Sequence, residues 1–176
     1  MKKILLLSFL LTSMFGQTID SDKSYVKFKV RNMGIRDVEG KITDMQGTVK
    51  FDSAQPDSAI FDVSLNVNTI DTNDKKRDAH LINEDFFETD KWPIIRFKSK
   101  SIKQRNDYYL VIGDLTIKHV TKEVQVPFNI AENDETITFS GGEVVNRIDY
   151  NVGVDYNNFK IGIELLVDVV CVVNKD

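Results

Sequence analysis

The chain has 176 residues, 41% of them hydrophobic and 28% charged, with a formal net charge of −4. That composition is ordinary for a globular chain and most simply describes one domain. An acidic chain without a basic cluster argues against a nucleic-acid partner, because affinity for the phosphate backbone comes mostly from lysine and arginine.

Met1-Lys2-Lys3 is a short basic start, Ile4 to Leu11 is almost wholly apolar, and Thr12-Ser13-Met14-Phe15-Gly16-Gln17 is a small-residue exit. This is the three-part plan of a secretory signal peptide, and the apolar run is too short to span a bilayer. The expected division is a signal peptide over residues 1–16 and one domain over residues 17–176, periplasmic or secreted, with no membrane-spanning segment in the mature chain. No cysteine lies near the expected cleavage point, which argues against a lipoprotein anchor. Loss of Lys2 and Lys3 leaves 21 bases against 27 acids, a net −6.

From there the dominant signal is period two. Val26, Phe28 and Val30 alternate with Lys27 and Lys29; Val49 and Phe51 with Lys50 and Asp52; Phe61, Val63, Leu65 and Val67 with Asp62, Ser64, Asn66 and Asn68. Further on, Val124, Val126, Phe128 and Ile130 oppose Glu123, Gln125 and Asn129, and Ile137 and Phe139 oppose Thr136 and Thr138. Such alternation means strands with one dry and one wet face. Tyr108 to Ile117 and Phe159 to Val173 are apolar on both faces. In the second, Phe159, Ile161, Ile163, Leu165, Val167, Val169 and Cys171 form one side, and Leu166, Val170 and Val172 need a cover of their own, a helix or a second chain. Turn signals at 32–34, 55–57, 105–107, 132–134 and 157–158 separate the runs. About eight strands with short turns predict an all-β antiparallel barrel or sandwich.

Only Thr72 to Glu88 loses the alternation. Asp74 is placed to cap a short helix over Lys75 to Asn83. On that helix Arg77 and His80 are three residues apart and share a face. An acid–base reading would pair His80 with Asp78 or Asp71. No nucleophile motif stands nearby, however, and a helix lying over a sheet needs hydrogen-bonded groups to fix its ends, which favours a structural role.

The rest of the chain excludes more than it offers. It has no Gly-rich phosphate loop and no Gly-x-Ser-x-Gly turn, and its two histidines, His80 and His119, cannot build a multi-histidine metal site. His119 reads as a solvated turn residue, and the lone Cys171 as a small buried hydrophobe rather than a reactive thiol. A small barrel either fills with side chains or holds one apolar ligand, and alternation cannot separate the two.

Five stretches in order carry a resemblance: "SYVKFKV" (24–30), "VEGKITDMQGTVKFD" (38–52), "SLNVNTIDTNDKKRDAHLINEDFFETDKWPIIRFKS" (64–99), "GDLTIKHVTKEVQVPF" (113–128) and "NRIDYNVG" (146–153). Together they resemble the polyisoprenoid-binding YceI-like family over about residues 19 to 173. The resemblance implies a lipocalin-like antiparallel β-barrel of about eight strands, with a short helical segment near residues 74–88. It implies an exported protein without enzymatic activity, metal or cofactor, whose partner is a long-chain isoprenoid lipid, a polyprenyl quinone or a relative, held in an apolar pocket.

The pocket would be lined by inward-facing Phe28, Val30, Phe51, Phe61, Val63, Leu65, Phe97, Leu115, Phe128 and Phe139. Arg77, Asp78 and His80, followed by Asp85-Phe86-Phe87, match the family's helical motif, and Arg147 and Asp149 its later polar element. Asn32 stands where many members have histidine, and His119 and Asn151 stand where glycine is usual. Asn tolerates the positive φ such turns require, His less readily. The alternative to a lipid carrier or store is a secreted barrel with a filled core, an interaction or stress-related module. The second apolar face of 159–173 could then join two copies.

Overall fold

Alternating residues build one continuous sheet. The computed structural model describes residues 16–52 and 54–175; the expected signal peptide lies outside them except for Gly16. Ten antiparallel strands follow in chain order: β1 Gln17–Thr18, β2 Tyr25–Asn32, β3 Arg36–Ile42, β4 Met45–Lys50, β5 Ile60–Asn66, β6 Ile94–Gln104, β7 Tyr109–Ile117, β8 Val120–Glu132, β9 Thr136–Asn146 and β10 Ile161–Asn174. One short helix, α1, spans Lys75–Leu81. In the sheet the order is β1-β4-β5-β6-β7-β8-β9-β10-β2-β3.

The two edges meet because β3 and β4 are almost one strand. Only Thr43 and Asp44 separate them, and Asp44 takes a left-handed φ of 56°. The first half of this bent strand pairs with β2 and the second half with β5. Counted so, the barrel has eight strands, and β1 is a short addition beside β4. The kink is pinned by Thr69, whose Oγ1 accepts from the Thr43 N–H at 2.9 Å and donates to the Thr43 carbonyl. Beside it, Lys41 and Asp71 exchange backbone hydrogen bonds of 2.8 and 2.9 Å, which pairs the lead-in to α1 with β3. At the opposite end of the barrel Ile19 bridges Val173.

Two strands depart from the sequence reading. β3, "RDVEGKI", carries too few apolar residues to announce itself. Gly40 interrupts its inward row, and that gap is where the Phe28 ring lies, opposite it in the register. In β10 the pairing with β2 shifts between Ile161 and Leu165. Phe159 therefore falls outside the strand and is 67% exposed, not part of the inward row. The cover expected over the second face of β10 is partial. Val172 is buried where Asp20 and Ser24 bond to its backbone, while Leu166 and its neighbour Val144 stay exposed.

The core is aromatic at the end away from α1. Phe139 meets Phe61 and Phe51 edge to face at 5.0 and 5.3 Å, and Phe128 stacks on Tyr109 at 5.4 Å. Edge-to-face packing of this kind aligns positive ring edges with negative faces. A second cluster of Phe86, Ile117, Tyr150 and Val152 packs under the α1 end. No helix among the described residues is long and apolar enough to cross a membrane.

Candidate ligand-binding site

Between those two clusters the barrel is hollow. A cavity of about 220 Å³ is walled by inward-facing residues from every strand from β2 to β10, the bent β3–β4 strand contributing Ile42 and Met45. Space for a single water needs roughly 10–15 Å³ on the same kind of measure, so this volume exceeds a packing defect by an order of magnitude. Its wall holds Val26 and Phe28 from β2, Phe61, Val63 and Leu65 from β5, and Leu165, Val167, Val169 and Cys171 from β10. Phe87, in the turn that follows α1, joins the lining. Glu143 is the one charged residue in the whole lining.

A second pocket of about 200 Å³ adjoins the first and has a different character. It is lined by Val30, Asn32 and Val38 from the β2–β3 hairpin, Arg77, His80 and Leu81 from α1, and Phe86, Tyr156 and Ile161. Phe28 lines both spaces and is the partition between them. An apolar chamber thus shares one aromatic ring with a pocket that holds a guanidinium, an imidazole, a phenol and a carboxamide.

α1 forms as the spacing predicts. The Asp74 carboxylate accepts from the backbone N–H groups of Lys76 and Arg77 at 3.0 and 3.1 Å, and these bonds hold its pKa below the usual carboxylate range. Asp78 turns back to accept from the backbone N–H and hydroxyl of Thr72. The Arg77 guanidinium donates to the Thr72 hydroxyl and carbonyl at 2.7 and 2.8 Å. His80 Nε2 lies 3.0 Å from Asp85 and 3.2 Å from the Tyr156 hydroxyl, with its ring edge-on to Phe86. Burial, then the nearby Asp85 charge, raises the Tyr156 phenol above its ordinary pKa. The helix is thereby tied to both the sheet and the 151–160 loop.

Arg147 and Asp149 diverge. Asp149 is exposed and pairs with Lys122 at 3.0 Å. Arg147 is 4% exposed and donates to five backbone carbonyls: Val152, Gly153, Tyr156, Ile161 and Gly162. It organises the loop that delivers Tyr156 and stands outside both linings.

Of the ten residues expected along the pocket, Phe28, Phe61, Val63, Leu65, Phe97, Leu115, Phe128 and Phe139 line the apolar chamber. Val30 lines the polar pocket instead, and Phe51 lines neither, being spent on the aromatic end cluster. Sequence reasoning missed Tyr156, which stands in an aperiodic loop, and Glu143, whose parity with Phe139 and Gly141 does point it inward. It also placed the strained turn residue one position late: Lys118, not His119, has the left-handed φ, of 54°. Asn151 does take a positive φ, of 57°.

The wall has a side seam. β9 pairs with β8 only from Phe128↔Gly141 to Glu132↔Ile137, so Val120 to Pro127 has no β9 partner. Lys122 and Asp149 span the seam outside, and Val124, Val126, Glu143 and Val145 flank it within. Among the described residues, no group of His, Cys, Asp and Glu is placed to hold a metal ion.

Fold and site together define a class: small antiparallel barrels with an apolar interior chamber and a polar vestibule at one end. The YceI-like domain model matches residues 17–173, and the chain belongs to that family. Protein YceI of Shigella flexneri is 30% identical over 156 residues, covering 85% of this chain and 82% of that protein. The crystal structure of BcnA from Burkholderia cenocepacia superposes with a TM-score of 0.82 at 27% identity, over 88% of this chain and 98% of that one. A polyisoprenoid binding domain from Saccharophagus degradans shares the fold at a TM-score of 0.73 and 13% identity, covering 92% of this chain and 99% of that one.

Proposed function

We propose that this chain is an exported, non-enzymatic binding protein that holds a long-chain isoprenoid lipid, a polyprenyl quinone or a relative, for carriage or storage. The observation that carries the reading is the pairing of a 220 Å³ apolar chamber with a polar pocket across Phe28. A chain of isoprene units gains about 25 cal/mol for each Å² it removes from water, so its tail needs no charged contact. Arg77, His80 and Tyr156 would then meet an oxygen-bearing head group, since a few polar groups suffice to orient a mostly apolar ligand. The description of the S. degradans domain as polyisoprenoid binding supports the ligand class. The basic, apolar and small-residue order of residues 1–16 supports export to the periplasm or beyond.

The reading predicts that protein purified from its host envelope carries an extractable lipid, visible by native mass spectrometry. Added polyprenyl quinone should raise the melting temperature of the emptied protein, since a ligand that binds only the folded state stabilises it. Val63→Trp, which fills the chamber, should abolish that shift. Empty native spectra together with no thermal shift would refute the reading.

A further inference from the structure

The turn between β2 and β3 and the loop before β10 meet at one exposed tip beside the polar pocket. Ile35 is 82% exposed, Phe159 67% and Met33 47%. These are large apolar side chains that a folded chain ordinarily hides, and here they share one spot. The Met33 N–H donates to the Lys160 carbonyl at 3.1 Å, and the Phe159 ring lies over Gly34. Gly34, with a φ of 68°, lets the turn close that tightly.

Charge accompanies the apolar tip. Arg36 and Lys160 are exposed, and neither has an ion-pair partner among the described residues. The nearest hairpin acid, Asp37, is engaged by Lys29 and Arg31 at 3.3 and 3.0 Å. The 151–160 stretch holds one acid, Asp155, and one base, Lys160, and the two form no ion pair. Two free cations therefore flank three apolar side chains on a chain that is acidic as a whole.

Position completes the case. Asn32 and Ile161, paired in the sheet immediately behind the tip, both line the polar pocket. The tip therefore stands directly beside the polar pocket. We infer that the tip docks on an anionic lipid surface, with Met33, Ile35 and Phe159 entering the interface and Arg36 and Lys160 against the head groups. Three side chains fall far short of the 20–30 residues a side, about 800 Å² per partner, of a stable protein interface, which disfavours a second copy or another protein. A bilayer asks for no such area from any one contact. That the docked membrane supplies the ligand rests on the isoprenoid reading above, whereas docking itself does not.

Flotation of the chain with vesicles that contain no isoprenoid tests the inference. The protein should float with phosphatidylethanolamine vesicles containing phosphatidylglycerol and far less with phosphatidylcholine alone. Ile35→Asp and Phe159→Asp should each reduce partition about tenfold, at unchanged circular dichroism and melting temperature, because both side chains point to solvent. Arg36→Glu should weaken binding chiefly at low salt, where surface charge is least screened. Failure to float, or equal flotation of the Asp variants, overturns the inference. So does a doubled solution mass that Ile35→Asp abolishes, which would make the tip a self-association surface. A chain that loads lipid yet ignores vesicles refutes docking and leaves the cavity's role intact.

Discussion

Arg147 carries a full charge where water scarcely reaches, and no carboxylate among the described residues pairs with it. Burial lowers its pKa, but a guanidinium starts so high that it keeps its proton. Five carbonyls do the solvating instead, and they come from both sides of the loop that presents Tyr156. Truncation would remove a donor from each of them where water scarcely reaches, and of the five Gly153 keeps a second donor, the Tyr156 N–H. Arg147→Ala should cost about 3–5 kcal/mol in urea denaturation, with an unchanged denaturant slope. Arg147→Lys should recover only part of that, since an ammonium has three donors and no planar fork. Equal stability of the Lys variant would show that charge, not donor geometry, holds the loop. The sequence does single out Arg147, through the Asn-Arg-x-Asp-Tyr element, but not its task. Hydrogen bonds to backbone carbonyls leave no trace in residue identity, whereas a partner carboxylate would. Glu143 is the converse case. Alternation along β9 points it inward, and only the incomplete β8–β9 pairing explains how a charged residue can stand in that row.

Among the elements, α1 is the one that sequence and structure describe in nearly the same terms. Its cap, its Arg77–His80 face and its start at Lys75 all follow from local chemistry, which a sequence displays directly. Its last turn ends at Leu81, earlier than expected, because the Glu88 and Thr89 N–H groups fold back onto the Asn83 and Ile82 carbonyls. The cap also gives α1 a pH dependence. Asp74 titrates lower in the folded chain than in the unfolded one, so its stabilisation is present above the unfolded pKa. It is lost as pH falls through the depressed folded value. Protection factors at Lys76 and Arg77, the intrinsic pH dependence of amide exchange divided out, should therefore fall on acidification in the parent and stay low and flat in Asp74→Ala, where the cap is already absent. If the two proteins respond alike, the cap is not what secures the helix. Strands were harder to read than the helix. β3 has its apolar row broken at Gly40, a gap that only the Phe28 ring across the hairpin explains, and β10 is joined to β2, remote in sequence, without which the register shift after Ile161 cannot be seen.

For the whole molecule, the question alternation could not answer was whether the barrel is filled. Both outcomes use the same inward row, and the difference lies in how far apart opposite walls stand, a property of the closed sheet. Cys171 gives a direct probe of that interior, since it lines the chamber and is 5% exposed. Burial pushes its thiol up to about 12, against a reference of 9.0. In the unfolded chain the thiol ionises near 9 and favours unfolding from there upward. In the folded chain it holds its proton until about 12, so stability is complete below 9 and declines across that window. At about 1.4 kcal/mol per pH unit, the loss due to Cys171 should reach roughly 2–3 kcal/mol by pH 11. Urea midpoints of the parent should fall more steeply than those of Cys171→Ala between pH 9 and 11. Tyr150 and Tyr156, whose pKa values are also raised, remain in both proteins and cancel in the comparison. A chamber filled with mobile water would solvate the thiolate, hold its pKa near 9 and make the two curves parallel. A dry chamber, the kind an isoprenoid tail requires, makes them converge as the parent loses its advantage.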